Sequence, residues 1–198
     1  METLGVVAGA GWASGINLYL VTLLRGIAQR VGWGDVPEVL GRTDVMVVAG
    51  ILFVVEFAVD KVPYADNIWD SIHTVVRPLG AAALGAVLVG DASSIGAALG
   101  AIVAGALALD AHAAKATTRL AVNTSPEPVS NISLSLAEDL SVAGLVALAI
   151  ANPVIALVVV VVLVVAATTL VVWLWRGIRR GVRRVRTRLA ERRTRAGA

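Results

Sequence analysis

Long apolar blocks separated by short polar runs set the pattern of this chain. Measured against the roughly 18–20 apolar residues that a helix needs to cross a bilayer, the blocks predict spans over residues 4–31, 44–59, 68–90 and 95–114. The stretch 139–175 would be about 55 Å long as one helix, nearly twice a hydrocarbon core of about 30 Å. Asn152-Pro153 divides it. The piece before that pair is about a dozen residues, too short to cross, while 154–175 is ample, so the two are predicted as one broken fifth span; the alternative is that 139–151 crosses as well, giving six spans and a tail on the side opposite Arg25 and Arg30. The valine-rich run at 157–165 would favour a strand in water, but in lipid only a helix satisfies its own backbone. Trp173 and Trp175 close it as an aromatic belt. The expected fold class is all-α: a polytopic helical membrane protein of about five spans, one broken near Asn152-Pro153, with amphipathic or kinked segments besides.

Small residues punctuate the first block. Gly5, Gly9, Gly11 and Gly15 form two Gly-x-x-x-Gly pairs, and Gly96 with Gly100 repeats the spacing in the fourth. Such faces let helix backbones approach closely, within the chain or in a homo-oligomer. Asn17 stands near the middle of the first block beside Ser14 and Gly15. Two readings follow: tight helix packing, or a break that exposes backbone carbonyls to a substrate, as in transporters with discontinuous helices. Beyond it, Asp35-Val-Pro-Glu38 with Gly41 reads as a short interfacial loop.

The stretch 56–77 concentrates the polar chemistry. At 100° per residue Glu56 and Asp60 fall about 40° apart on one face of the second span. Pro63 is the predicted hinge. After it, Asp66, Asp70, His73 and Arg77 lie within an arc of roughly 60°, and Ile68, Trp69, Ile72, Val75 and Val76 fill the rest. The third span carries this stripe and is expected to kink near Pro78. His112, Lys115 and Arg119 share a face at the end of the fourth. Residues 122–131 hold two prolines and are predicted as a loop. A helix start is expected at 135–139, where Glu138 and Asp139 suit the positive end of the dipole.

Composition turns this pattern into a statement about solvent. The chain is 58% hydrophobic, above the roughly 45–50% of soluble domains, which excludes a soluble fold. It has no cysteine, so disulfides, thiolate metal sites and cysteine nucleophiles are excluded. The N-terminus has no basic n-region, so the first block is expected to stay as a helix. Charge is divided: residues 1–175 carry a net −6 and residues 176–198 a net +9. A transmembrane domain (1–175) and an Arg-rich tail (176–198) are therefore expected. The positive-inside rule places the tail in the cytoplasm with Arg25, Arg30 and Arg42. Five spans then put the N-terminus outside, together with Lys61 and the 115–131 loop. Arg176, Arg179, Arg180, Arg183 and Arg184 are expected to hold anionic lipid headgroups, in preference to nucleic acid. Arginine outnumbers lysine 15 to 2, a bias common in GC-rich bacterial genomes, and the expected location is a bacterial inner membrane.

Ionisable groups inside spans cost several kcal/mol each and mark ion paths. The first functional expectation is therefore a transporter or channel for a small ion or polar solute. Its path would be lined by Asn17, Glu56, Asp60, Asp66, Asp70, His73, Arg77, Lys115 and Arg119. The second is a scaffold in which Asp70 with Arg77 and Glu56 with Lys115 are ion pairs joining helices. The third is a metal-dependent enzyme on a lipid phosphate, with Asp66, Asp70 and His73 as ligands. No hydrolase, P-loop or zinc-protease motif supports the third, and no cofactor is required.

Four pieces in order carry a resemblance to a family: SGINLYL at 14–20, EFAVDKVPYADNIWDSIHTVVRP at 56–78, KATTR with NTSPEP at 115–128, and SLAED at 135–139. In these the chain resembles the bacterial membrane family catalogued as domain of unknown function 4126. The resemblance implies a membrane-embedded fold and supplies no activity.

Overall fold

The computed structural model describes residues 1–62, 64–90, 93–123 and 128–196. Among them all regular structure is helical: α1 (Glu2–Arg30), a one-turn 3-10 helix (Glu38–Gly41), α2 (Thr43–Val59), α3 (Ala65–Leu88), α4 (Ser94–Val122), α5 (Pro128–Ala151) and α6 (Pro153–Ala196).

The first helix is not straight. Asn17 leaves helical space at φ −149°, ψ 94°, and its Oδ1 accepts the Leu20 N–H at 2.9 Å, the capping bond that starts a new helix. Two arms result, 2–16 and 18–30, and they fold back on each other. The Arg25 Nη2 donates to the Val6 carbonyl at 3.3 Å, whereas a straight helix would hold those residues about 28 Å apart. Both open ends also meet the same turn: a Cβ added to Gly5 would strike the Pro153 backbone, and one on Gly34 would strike Ile150. The Glu2–Arg30 helix is long and apolar enough to cross a membrane, yet it returns to the end it started from. It is a re-entrant hairpin.

The other helices run between the open end of that hairpin and its tip end. Leu40 and Met46 lie against Gly26 at the open end, where α2 begins. Asp60, just past α2, meets Lys115 and Arg119 near the far end of α4. From there α3 returns, with Gly85 against Gly100 near the start of α4, and α4 goes back to the tip end. α5 returns again, Gly9 packing on Ala149, and α6 leaves toward the tip end, where Thr168 donates to Asp110 at 2.9 Å.

The hairpin forms the core. Its most apolar window is 78% buried, against 17–33% in the other four long apolar helices. Glycine allows this: a Cβ on Gly11 would come 2.6 Å from the Ala104 Cα, and one on Gly15 2.7 Å from the Ala111 Cβ. The Gly-x-x-x-Gly faces of α1 are thus occupied within the chain. Val7, Val21, Val142, Val146 and Val160 fill the remaining interior. On α3 the usual polarity is inverted: Asp66, Asp70, His73 and Arg77 are buried, while Ile68, Ile72 and Val75 are exposed. That is the pattern of a helix whose outer solvent is hydrocarbon, and the chain is a multi-pass helical membrane protein.

Several expectations are corrected. Residues 4–31 do not make one crossing. Residues 139–175 do not make one broken span, because α5 begins at Pro128 and has 24 residues. Proline at the first helical position loses no hydrogen bond, so the predicted loop ends sooner and Glu138 and Asp139 fall well inside the helix. α4 continues past 114 to Val122, since Lys115 and Arg119 find carboxylates there. Five helices still run from end to end, α2 to α6; α2 at 17 residues is about 26 Å long, near the lower limit for crossing. The start of α1 and the apolar part of α6 leaving the bundle lie at opposite ends. Arg25, Arg30 and Arg42, however, sit at the open end, away from the exit of α6, and Lys61 and Lys115 sit at the tip end with it. α6 continues as helix through the Arg-rich segment. The hinge at Pro63, Asp91-Ala92 and 124–127 lie outside the described residues.

Candidate functional site

The tip of the hairpin ends in a buried charge network. α2 contributes Glu56, and Asp60 follows its last turn; α3 contributes Asp66, Asp70 and Arg77; α4 contributes His112, Lys115 and Arg119; α5 contributes Glu138 and Asp139. Asp66 and Arg77 are both fully buried on α3, eleven positions apart, so the network reaches about 16 Å inward along that helix.

Three cations organise it. Arg77 donates through Nη2 to Glu56 Oε1 at 2.8 Å and through Nη1 to Asp70 Oδ1 at 3.0 Å and to the Gly15 carbonyl at 3.4 Å. Lys115 Nζ donates to Asp60 Oδ2 at 2.7 Å and to the Ile16 carbonyl at 3.1 Å, with Glu56 and Glu138 at 3.5 and 3.6 Å. Arg119 grips both oxygens of Glu138 and bonds the Asp60 carbonyl at 2.6 Å, with Asp66 at 3.6 Å. The break at Asn17 explains why two backbone carbonyls enter the network. In an unbroken helix Ile16 would accept the Leu20 N–H, but that N–H goes to Asn17 Oδ1, and Lys115 takes the freed carbonyl.

Neutral groups complete the arrangement. The Asn17 amide donates to Asp139 at 3.0 Å. The Asn123 amide holds both oxygens of Asp66 at 2.9 and 3.0 Å and is itself held by Asn131. His112 Nδ1 faces an Arg77 nitrogen at 2.7 Å; a guanidinium only donates, so Nδ1 accepts and Nε2 carries the proton toward Thr74 at 3.1 Å. His73 has the other tautomer: Nδ1 donates to the Trp69 carbonyl at 2.8 Å, and Nε2 accepts from the Tyr19 hydroxyl at 2.9 Å. Lys61 flanks the cluster, bonded to the Phe57 carbonyl at 2.8 Å, and partial burial lowers its pKa from the ordinary lysine value.

Six carboxylates (Glu56, Asp60, Asp66, Asp70, Glu138 and Asp139) thus face three inner cations. Glu56 Oε2, Asp60 Oδ1, Asp70 Oδ2 and Asp139 Oδ2 are buried with no hydrogen-bond partner among the described residues. An unpaired buried acceptor is costly, and a carboxylate oxygen in that state is where a proton or a cation lowers the energy most.

Every path residue expected from the sequence, Asn17, Glu56, Asp60, Asp66, Asp70, His73, Arg77, Lys115 and Arg119, lies in or against this network. Asp70 with Arg77 and Glu56 with Lys115 are paired as the scaffold reading requires. The three metal candidates face other partners: Asp66 faces Asn123, Asp70 faces Arg77 and His73 faces Tyr19, and among the described residues no three His, Asp or Glu side chains gather round one point. Sequence reasoning left out His112, Glu138, Asp139, Asn123 and Asn131. The first was signalled by its shared face with Lys115 and Arg119; the last two were hidden in a segment taken for a loop. Arg176, Arg179, Arg180 and Arg183 are exposed on α6, Arg179 over the Trp175 ring, and the Arg184 side chain lies outside the described residues.

A re-entrant hairpin wrapped by five helices, with its tip in a buried ionic network, defines the class: an integral membrane protein whose polar interior is built from its own charges. Residues 4–175 match the family described as domain of unknown function (DUF4126), and the chain belongs to it. No curated protein and no solved structure matches.

Proposed function

We propose that the protein is a transporter or channel for a small ion or polar solute and that the hairpin tip is the place where the passing species is handled. The observation that carries this reading is the broken helix at Asn17, whose freed Gly15 and Ile16 carbonyls face Arg77 and Lys115 within a cluster richer in carboxylates than in cations. Irregular backbone at membrane depth is tolerated where it is buried in protein or lines a cavity, and helix breaks beside ionisable residues are how transporters coordinate ions near the midplane. A proton or cation exchanged onto the unpartnered oxygens of Glu56, Asp60 or Asp70 would compete with Arg77 and Lys115 and loosen the seal at the tip. The proposed location is a bacterial inner membrane with the tip end toward the cytoplasm, where the arginines of α6 meet anionic headgroups.

The scaffold reading is favoured by one observation: both freed carbonyls already have cationic partners from the same chain. Flux decides between the two. In proteoliposomes the wild-type protein should dissipate a proton, sodium or potassium gradient faster than empty vesicles. Asp70→Asn, which keeps an oxygen for Arg77 and loses the charge, should abolish that flux while insertion and thermal stability persist. No flux of any of the three ions in the wild type, with Asp70→Asn unfolding more easily, would establish the scaffold.

A further inference from the structure

The opposite end of the hairpin holds a fourth buried cation, with no carboxylate of a described residue on it. Arg25 is 1% exposed. A guanidinium has five N–H donors, yet its one hydrogen bond to a described residue is to the Val6 carbonyl at 3.3 Å, and Nε has no partner among the described residues. It forms no ion pair within 4 Å among the described residues, unlike Arg77 and Arg119. Burying a charge without a counter-charge is expensive, and clamping two hairpin arms through one carbonyl needs no guanidinium.

Arg25 lines a cavity of about 390 Å³ that opens between the hairpin arms and the turn joining α5 to α6. Thr3 and Pro153 line it as well, so the first turns of α1 and α6 both meet it, and Met1 gives the α1 N-terminus no side-chain cap. Leu88 ends α3 and Ala151 ends α5 on the same cavity, so two negative helix ends offset the two positive ones, and the buried guanidinium is what makes the space a site for an anionic group. The exposed carboxylates Glu2 and Asp35 line the same cavity. They would repel a bare dianion and would receive a neighbouring amine.

We propose that this cavity binds a small zwitterion, an anionic group held by Arg25 with an amine held by Asp35 and Glu2. The chemistry is shared by a free amino-bearing phosphate or carboxylate and by an ethanolamine lipid headgroup. The site stands apart from the charge network and does not depend on the transport reading.

The test is thermal unfolding of the full chain in neutral detergent with O-phosphoethanolamine or inorganic phosphate as probe. Wild type should show a saturable upward shift, at lower concentration for phosphoethanolamine. Arg25→Gln should weaken both by roughly thirtyfold or more, the loss expected for a buried charge pair. Asp35→Asn, at an exposed position, should weaken phosphoethanolamine and strengthen phosphate, and it keeps the test decisive if Arg25→Gln does not fold. In nanodiscs, disappearance of the shift when phosphatidylethanolamine is included identifies the lipid headgroup as occupant; persistence identifies a free solute. The proposal is overturned by no saturable shift with either probe, by Arg25→Gln responding as wild type does, or by Asp35→Asn leaving both responses unchanged.

Discussion

The Lys115 ammonium lies 3.1 Å from the Ile16 carbonyl, the last before the helix break, while it also bonds the Asp60 carboxylate at 2.7 Å. One side chain therefore stabilises a backbone irregularity and a buried anion together. Neither alone would justify a buried lysine, since desolvation of the ammonium is repaid only when all its donors find partners.

That dual role gives the first prediction. Lys115→Met should destabilise the protein by about 3–5 kcal/mol, the cost of stranding a buried charge, read from SDS or urea titration in detergent. Adding Asp60→Asn should recover part of the loss, because the stranded carboxylate is then gone. A coupling between the two of about 0.5–3 kcal/mol is expected for contacting residues; strictly additive losses would mean that the pair is not an energetic unit.

Close backbone approach predicts opposite effects for two glycines of similar sequence context. Gly11→Ala would place a Cβ 2.6 Å from the Ala104 Cα. Backbone must move, and a loss of about 1–3 kcal/mol or more is expected from overpacking. Gly50 in α2 has no atom of a described residue within 4 Å of an added Cβ, so Gly50→Ala should gain about 0.5–1 kcal/mol from helix propensity. The same unfolding titration measures both, and equal losses would contradict the packing described.

The polar stripe of α3 was legible because it needs only the 100° period: four charged or imidazole side chains on one arc must face inward wherever the outside is lipid. The break at Asn17 was half legible, since Gly and Asn within an apolar helix flag it, but the direction of the second arm was not. Hydropathy is blind to whether a 29-residue apolar segment goes on or turns back; that depends on Arg25 meeting Val6, a contact between residues 19 positions apart. The start of α5 was hidden because Asn131 looks like a loop residue and Ser135 like a helix cap, yet they are 0% and 1% exposed, turned toward the network. In a membrane protein polar residues mark the interior as readily as the surface.

The fold-back itself is open to a direct measurement, because the chain has no cysteine and single cysteines report sidedness without background. Thr3, Val31 and Val62 are exposed, the first two at the open end of the hairpin and the third beyond α2 at the tip end. In sealed membrane vesicles of one orientation, a membrane-impermeant maleimide should label Thr3→Cys and Val31→Cys from one side and Val62→Cys from the other. If α1 crossed the bilayer instead, Thr3→Cys and Val62→Cys would share a side and Val31→Cys would stand alone. The two topologies thus differ in which of the three is the odd one out, whichever way the vesicles are turned. Labelling of Val31→Cys opposite to Thr3→Cys would overturn the hairpin, and with it the placement of Gly15, Ile16 and Asn17 at the charged tip.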